Sequence, residues 1–393
     1  MPGDALQRRD FLIAAGALAM APLLSTSIAR AATVAADKTA PIEPADWAGY
    51  REAIVIDSCG MPKAPEEEYT GTLSPASLAD VRASGVTALN LTISGVGSYQ
   101  RNYDETIRNL AWWNSQIAAF PDRLLTVLGG ADIDAAKYSG RLGIIFGFQD
   151  ATPIGEDLDR VGTFHQLGVR IFQLTYNRRN LVGDGCLETG NAGLSTFGHA
   201  LIESIHAHHG LVDLSHAGER TTLEAIDTSK VPIAISHTGC AAIAPHPRNK
   251  TDNELKRLAD KGGVVGIYLM PYLRTRGQPM ADDFIRHLEH AVNVCGEDHV
   301  GIGTDGTISG TEITEQYKRD FADVLAQRRK QNISAPGEQE DVYPFLPDLN
   351  APDRFARIAT ALSKRGHSDT RIAKLIGGNF DRLFRATWKA AAA

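Results

Sequence analysis

The sequence contains no window of about 18 uninterrupted apolar residues, so it offers no ordinary transmembrane helix. It has no basic run either. Forty Lys and Arg against 47 Asp and Glu leave a formal net charge of −7, which argues against a nucleic-acid surface. Cysteine is scarce: Cys59, Cys186, Cys240 and Cys295 are too few in 393 residues to make a disulfide scaffold. No G-x-G-x-x-G follows the first strand-like run, which removes the usual mark of a dinucleotide-binding sheet. What remains, 43% hydrophobic and 22% charged, is ordinary for a globular chain with one large α/β domain or two average ones.

The N-terminus reads as a targeting segment rather than as part of the fold. In "LQRRDFLIAAGALAMAPLLSTSIARAA" the pair Arg8-Arg9 precedes an apolar stretch over 11–24 and the small-residue site Ala29-Arg30-Ala31. The two arginines followed by Asp10-Phe11-Leu12 resemble a twin-arginine (Tat) export signal. The expected organisation is a signal over 1–31, a linker over 32–48 and one barrel domain over 49–388. Delivery would be periplasmic or secreted, with no membrane span after cleavage, in a compartment where cysteines can pair.

From about Pro41 the chain alternates apolar runs with helix-like stretches. The runs cover 53–57 ("AIVID"), 86–93, 142–148, 169–175, 210–215 ("GLVDLS"), 231–236 ("VPIAIS"), 263–269 and 299–304 ("HVGIGT"). One intervening helix is introduced by Ser195 and closed by Gly210; another is introduced by Thr251 and closed by Gly262-Gly263. Eight continuous apolar strands separated by helices predict a single-domain (β/α)8, TIM-like barrel. The piece "LLTVL" (124–128) would be a ninth extended segment.

In such a barrel the functional groups stand at the C-terminal ends of the strands. "GLVDLSH" ends at His216, "VPIAISH" ends at His237, and "GIGTDGT" carries Asp305 at the end of the eighth run. Neighbouring strands lie about 5 Å apart, so imidazoles at adjacent strand ends can reach one ion. Either histidine alone could simply cap its strand. Two of them with an aspartate at the same mouth point to a site.

The strings "LVDLSH", "ISHTGC", "PHPRNKTD" and "VGIGTDG", in this order and spacing, resemble the renal or membrane dipeptidases, peptidase family M19, within the amidohydrolase-like barrels. The resemblance runs from about residue 50 to 385. It implies a zinc-dependent attack of water on a dipeptide bond. It also implies that His216 and His237 are ligands of one zinc, that Arg248 holds the substrate carboxylate, and that Asp305 stands near the reacting amine or water. A guanidinium fork suits a carboxylate, and an aspartate beside a metal-bound water can accept and return a proton.

The departures from that family pattern fall on the other half of the site. Cys59 in "VIDSCGMP" stands where a histidine ligand is expected, and Met61 falls near the place of the paired aspartate. Gln149, with Asp150 beside it, stands for the bridging glutamate, and Tyr176 for an active-site histidine. A neutral amide does not replace the charge of a carboxylate shared by two dications. The expectation is therefore one zinc or other divalent ion rather than two, held by His216 and His237 with Cys59, Asp305 or Gln149 as third ligand. Cys59 has further readings as a reactive thiol, as a disulfide partner of Cys186, or as a packed apolar residue.

The segment 176–195, carrying Arg178, Arg179, Asp184, Cys186 and Glu188, reads either as a solvated loop or as a lid over the mouth. "HAHH" (206–209) falls at a helix end away from the mouth and is set aside. Residues 310–350 read as a long irregular excursion that walls the pocket. The leading expectation is an exported dipeptidase-like hydrolase acting on a small peptide or amide with a free carboxylate, with a homodimer compatible with it. The alternatives are a catalytically reduced barrel that binds a peptide-derived metabolite, and a tailoring enzyme that uses Cys59.

Overall fold

Each of the eight apolar runs becomes a parallel strand in the computed structural model, which describes residues 47–64, 71–96 and 99–388. The expected signal (1–31) and the linker as far as residue 46 lie outside the described residues; the last two linker residues, Trp47 and Ala48, lead into a short 3-10 helix ending at Tyr50. In chain order, β1 (Ile56–Met61), α1 (Pro75–Ser84), β2 (Ala88–Thr92), α2 (Tyr99–Ala119), β3 (Leu124–Thr126), α3 (Gly130–Ser139) and β4 (Leu142–Phe148) make the first part. Then come α4 (Asp159–Gln166), β5 (Val169–Gln173), α5 (Thr196–Ala207), β6 (Leu211–Asp213), α6 (Glu219–Thr228), β7 (Ala234–Thr238), α7 (Asp252–Asp260) and β8 (Val264–Ile267). The chain continues with α8 (Ala281–Cys295), β9 (Val300–Ile302), β10 (Gly306–Thr307), α9 (Glu315–Lys330), α10 (Arg354–Lys364), α11 (Asp369–Ala373) and α12 (Asn379–Thr387).

The strands read as continuous apolar runs because both faces are covered, one by the barrel interior and the other by helices. Their order is β1-β2-β4-β5-β6-β7-β8-β9, and every ladder is parallel. Beyond Asp305 the chain continues as β10, which pairs with β1 (Gly60 opposite Gly306, Met61 opposite Thr307) and brings the curled sheet back onto its first strand. The architecture is a TIM-like barrel. The ninth piece is real but peripheral: β3 pairs only with the first residues of β4, Leu124 opposite Leu142, at the end away from the mouth.

The helix starts follow local chemistry. Ser195 accepts from Gly198 N at 3.0 Å, and Thr251 with Glu254 forms a reciprocal capping pair. Inside the barrel the lower layer is apolar: Ile56, Ala88, Ile145, Ile171, Leu211, Ala234 and Val264 pack on Phe380, Phe384 and Trp388 of the C-terminal segment, which plugs that end. Above it the interior turns polar, with Ser58 Oγ reaching Ser236 O at 2.6 Å and Ile302 O at 2.9 Å. Gly266 and Gly303 leave the space for this contact, since a Cβ at either would collide with Ser236 O and Ser58 Oγ.

Three ladders are irregular: β4–β5, where Phe146 faces Val169 and Gly147 faces Ile171, and two at the mouth. On β1, Asp57 faces Leu89 and Gly60 faces Leu91, three steps against two. On β7, Ile235 faces Val265 and Thr238 faces Ile267, again three against two. Each is a bulge, a device that re-aims side chains. The extra residues fall at Ser58-Cys59 and Ser236-His237, so in each strand two successive side chains make interior contacts.

The segment 310–350 corrects the expectation of an irregular excursion. Much of it is α9, started by Thr314, whose side chain accepts from Tyr317 N at 3.0 Å. Its apolar residues are sparse (Phe321, Val324, Leu325) in a run of charge, which hides the helical period.

Candidate metal centre and binding cleft

His237, inside β7, is fixed by a relay. The buried Asp213 carboxylate, at the end of β6, accepts from Ser215 N and Oγ at 3.1 and 2.6 Å, from Ser236 N at 2.9 Å and from Ser236 Oγ. With its proton on Asp213, Ser236 Oγ accepts from His237 Nδ1–H at 2.8 Å, which leaves the lone pair on Nε2. Burial holds the His237 imidazole well below its usual range, and the charge of Arg248 adds to this. The ring is neutral at pH 7, the form a metal ligand requires.

Nε2 of His237 faces Cys59, Gln149 and Asp305. Cys59 Sγ lies 3.6 Å from Asp305 Oδ1, and Gln149 Nε2 lies 3.1 Å from that oxygen, 3.5 Å from Cys59 Sγ and 3.5 Å from His237 Nε2. Asp305 adopts the left-handed region at φ 54°, uncommon for a residue other than glycine, while its N–H donates to Cys59 O at 2.7 Å. Beneath, Asp57 accepts from Cys59 N at 3.2 Å and from Thr304 N and Oγ1 at 2.8 and 2.6 Å, joining β1 to the end of β9. Burial raises the Asp57 carboxyl to about 7, against the pull of the Thr304 and Cys59 bonds, and raises Asp305 to about 6, against Arg248. Burial, then the negative charge of Asp305, pushes the Cys59 thiol well up.

These donors fit a metal. Cys59, His237 and Asp305 are buried and each offers a ligand atom, all within 4.8 Å of one another. Ligands of a tetrahedral zinc at about 2.0–2.3 Å stand roughly 3.3–3.8 Å apart, and the Cys59–Asp305 separation of 3.6 Å falls in that interval. Gln149 Nε2 fills the space that the three donors share. Its Oε1 has no hydrogen-bond partner among the described residues, and a half-turn of the amide brings that oxygen to the same point.

His216, three residues beyond β6, stands beside this group and not in it. Its Nδ1 donates to Asn177 Oδ1 at 2.7 Å, its ring stacks on Tyr176 with centroids 4.2 Å apart, and Nε2 has no hydrogen-bond partner among the described residues. Burial, then Arg248, keeps this imidazole neutral as well. The convergent group of three is Cys59, His237 and Asp305; His216, expected as the second histidine ligand of the same ion, stands edge-on to His237 at 5.0 Å with its Nε2 unpartnered among the described residues. The reason is the 176–195 segment. Asn177, held at Ile333 O by its amide, ties His216 Nδ1, while Cys186 N donates to His216 O at 2.8 Å. That segment is therefore a brace, pinned by the buried Asp184 and its ion pair with Arg179 at 2.5 Å.

Arg248 is 2% exposed and forms no ion pair among the described residues, so it is not a surface charge. Nη1 donates to Ser215 O at 2.6 Å, the guanidinium lies over the Tyr268 ring at 5.7 Å, and Nη2 has no hydrogen-bond partner among the described residues. The charge of Asp305 acts on this guanidinium without an ion pair between them, and an incoming carboxylate would pair with it directly. Arg248, His216, Tyr176 and Asp305 line a cleft of about 650 Å³, open to solvent, whose far wall comes from α9 and the chain after it. Cys59 and Cys186 form no disulfide: one sulfur rests on Asp305, the other on Asn177 Oδ1 at 3.5 Å.

All seven residues singled out from the sequence, Cys59, Gln149, Tyr176, His216, His237, Arg248 and Asp305, stand at the mouth or directly beneath it. Missed were Asp57, Asp213, Ser236, Asn177 and Arg328. The two aspartates had a signal, a lone acid inside an apolar run ("AIVID", "GLVDLS"); the other three had none.

Comparison with known proteins finds one family. Residues 52–333 match the family model described as Membrane dipeptidase (Peptidase family M19). An amidohydrolase from Pseudomonas aeruginosa of known structure is 33% identical, with a TM-score of 0.75 over 86% of this chain and 98% of its own. A metallo peptidase from Rhodobacter sphaeroides, liganded with a phosphinate mimic of the dipeptide L-Ala-D-Ala, shares the fold at 18% identity and a TM-score of 0.68, over 86% of this chain and 100% of its own. An uncharacterized dipeptidase of Schizosaccharomyces pombe is 33% identical over 242 residues, 59% of this chain and 58% of its own length. The chain spans about half to two thirds of the length of the curated dipeptidases it matches.

Proposed function

The chain belongs to the membrane dipeptidase family, peptidase family M19, and on that footing we propose that it is an exported metallohydrolase that cleaves the amide of a small peptide-like substrate with a free carboxylate. The observation that carries the reading is the adjacency of two things: a buried three-donor group, Cys59, His237 and Asp305, which meets the cleft through Asp305, and an Arg248 guanidinium in that cleft whose Nη2 has no hydrogen-bond partner among the described residues. One divalent ion, with zinc best suited to a thiolate, imidazole and carboxylate set, would be held by those three donors, with Gln149 Oε1 within reach. When bound there, such an ion supplies a Lewis acid and a water of lowered pKa.

The chain's own groups supply the rest. Arg248 Nη2 takes the substrate carboxylate and fixes its orientation toward Asp305. His216, neutral and with a free Nε2, presents an acceptor to the amide or amine of the substrate. Asp305 holds a proton at its carboxylate and returns it to the leaving amine. Tyr176, stacked on His216, closes one side of the cleft and limits water. The Asp213–Ser236–His237 relay keeps His237 in the tautomer that binds.

Metal analysis of the purified mature protein, combined with a dipeptide-hydrolysis screen with and without added zinc, tests this reading. One equivalent of metal and zinc-dependent release of amino acids are expected. A metal-free protein indifferent to zinc, binding carboxylate ligands without turnover, would make it a binding barrel instead. Among the described residues no helix is long and apolar enough to cross a membrane, and export is proposed on Arg8-Arg9. Replacing both with lysine should hold the precursor in the cytoplasm; unchanged export would remove the Tat assignment.

A further inference from the structure

We propose that α9 and the chain following it form a selective side-chain pocket for substrates that carry a large apolar group, branched aliphatic or aromatic, next to the carboxylate. This rests on the reading that Arg248 holds that carboxylate. The cleft has two unlike walls. One carries Arg248, His216 and Asp305; the other is built from Met270, Phe321, Val324, Leu325, Val342 and Pro344.

The apolar wall is not a by-product of barrel packing. Phe321 and Leu325 form a cluster of their own with Tyr317, Val324 and Tyr343, separate from the main core. Positions 321, 324 and 325 share one face of α9, and that face lines the cleft. Part of the wall, Val342 and Pro344, lies beyond the region that matches the family model, which ends at residue 333.

Charge in the cleft narrows the ligand further. A second guanidinium, Arg328, also lines it, but Glu338 neutralises that charge at 2.8 Å. Glu338 in turn accepts from Tyr272 OH at 2.9 Å, and Arg328 donates to Tyr176 OH at 3.4 Å. Among the described residues the cleft thus presents one guanidinium outside any ion pair, Arg248, and an apolar wall. That combination suits a monocarboxylate with an apolar side chain and disfavours a diacid, whose second carboxylate would meet the already paired Arg328–Glu338.

The test uses the metal-loaded full-length mature protein and the dipeptides Gly-Gly, Gly-Leu, Gly-Phe and Gly-Asp, with kcat/KM as the readout. Apolar side chains in a fitted pocket discriminate by roughly ten- to two-hundredfold, so Gly-Leu and Gly-Phe should exceed Gly-Gly by at least about tenfold and Gly-Asp should rank lowest. Val324→Asn, at a half-buried position on α9, and Phe321→Ala should both shrink the Leu/Gly and Phe/Gly ratios toward unity, with a thermal melt showing that each variant is folded. In parallel, calorimetric titration with N-acetylleucine and N-acetylglycine reads binding without turnover. Tighter binding of N-acetylleucine, lost in Val324→Asn, in a protein that hydrolyses none of the dipeptides would sustain the pocket and sink the hydrolase reading. Hydrolysis of all four at equal efficiency, with equal binding of the two acetylated amino acids, would overturn the pocket and leave the hydrolase standing. Absence of both activity and preference would overturn it as well.

Discussion

Cys59 and Asp305 meet twice: the thiol lies 3.6 Å from Asp305 Oδ1, and the Asp305 N–H donates to Cys59 O at 2.7 Å. The backbone bond fixes the distance between the two side chains independently of any ion. Cys59→Ser keeps that bond and removes the thiolate. It should weaken zinc affinity by at least about tenfold, the low end of what even outer partners of a metal site contribute, and lower hydrolysis in step, with little change in Tm. Zinc titration against a competing chelator checks it; a mutant that binds and turns over like the wild type would reduce Cys59 to packing.

Gln149 offers a test of charge. Its amide Nε2 faces three acceptors, Cys59 Sγ, His237 Nε2 and Asp305 Oδ1. Gln149→Glu places a carboxylate there, repelled by Asp305 when no cation is present and stabilised when one is. In chelator the variant should melt below the wild type, and added zinc should raise its Tm by more than it raises that of the wild type. Equal zinc shifts in both proteins would place the ion elsewhere.

Removing the relay should act through the tautomer. Ser236→Ala deletes the acceptor of His237 Nδ1–H, and Asp213→Asn removes the charge that orients Ser236. Each should cost about ten- to a hundredfold in metal affinity. A fall in Tm with unchanged metal affinity would mean that Asp213 only holds β6 to β7.

Arg248→Ala should weaken binding of carboxylate ligands by about 1.5–3 kcal/mol, roughly ten- to more than a hundredfold. Because Arg248 is buried without an ion pair among the described residues, its loss should leave Tm unchanged or higher. Wild-type protein that binds a ligand and its primary amide equally well would contradict the clamp.

Acid sensitivity has an identifiable contributor away from the cleft. His287 on α8 accepts from Cys240 N at 2.8 Å through Nδ1 and is paired with Leu273 O at 3.0 Å through Nε2, and burial lowers its pKa to about 4. The unfolded chain binds this proton near pH 6.5 and the folded chain does not. Stability is therefore fully present above about 6.5 and lost as pH falls toward 4, at up to about 1.4 kcal/mol per pH unit. His287→Gln should flatten that part of the pH–stability curve; an unchanged slope in denaturant melts at pH 5 would assign the loss to other groups.

What the sequence determined by itself was the barrel and its mouth. Continuous apolar runs separated by capped helices leave few alternatives to a parallel, doubly covered sheet, and strand-end polar residues in such a sheet must gather on one face. That placed His216, His237 and Asp305 at one mouth; Cys59, Gln149, Tyr176 and Arg248 joined them through the resemblance to the M19 pattern. Tertiary structure decided which of them touch. A bulge is a mismatch between two strands, so no reading of β1 or β7 alone could show that Ser58-Cys59 and Ser236-His237 make interior contacts as pairs. The tie from Asn177 that keeps His216 apart, the left-handed turn at Asp305 and the apolar wall from α9 likewise depend on contacts between segments distant in the chain. Local patterning encodes what each residue can bury; the distances on which a metal or a substrate depends arise only when separate strands and loops are packed against one another.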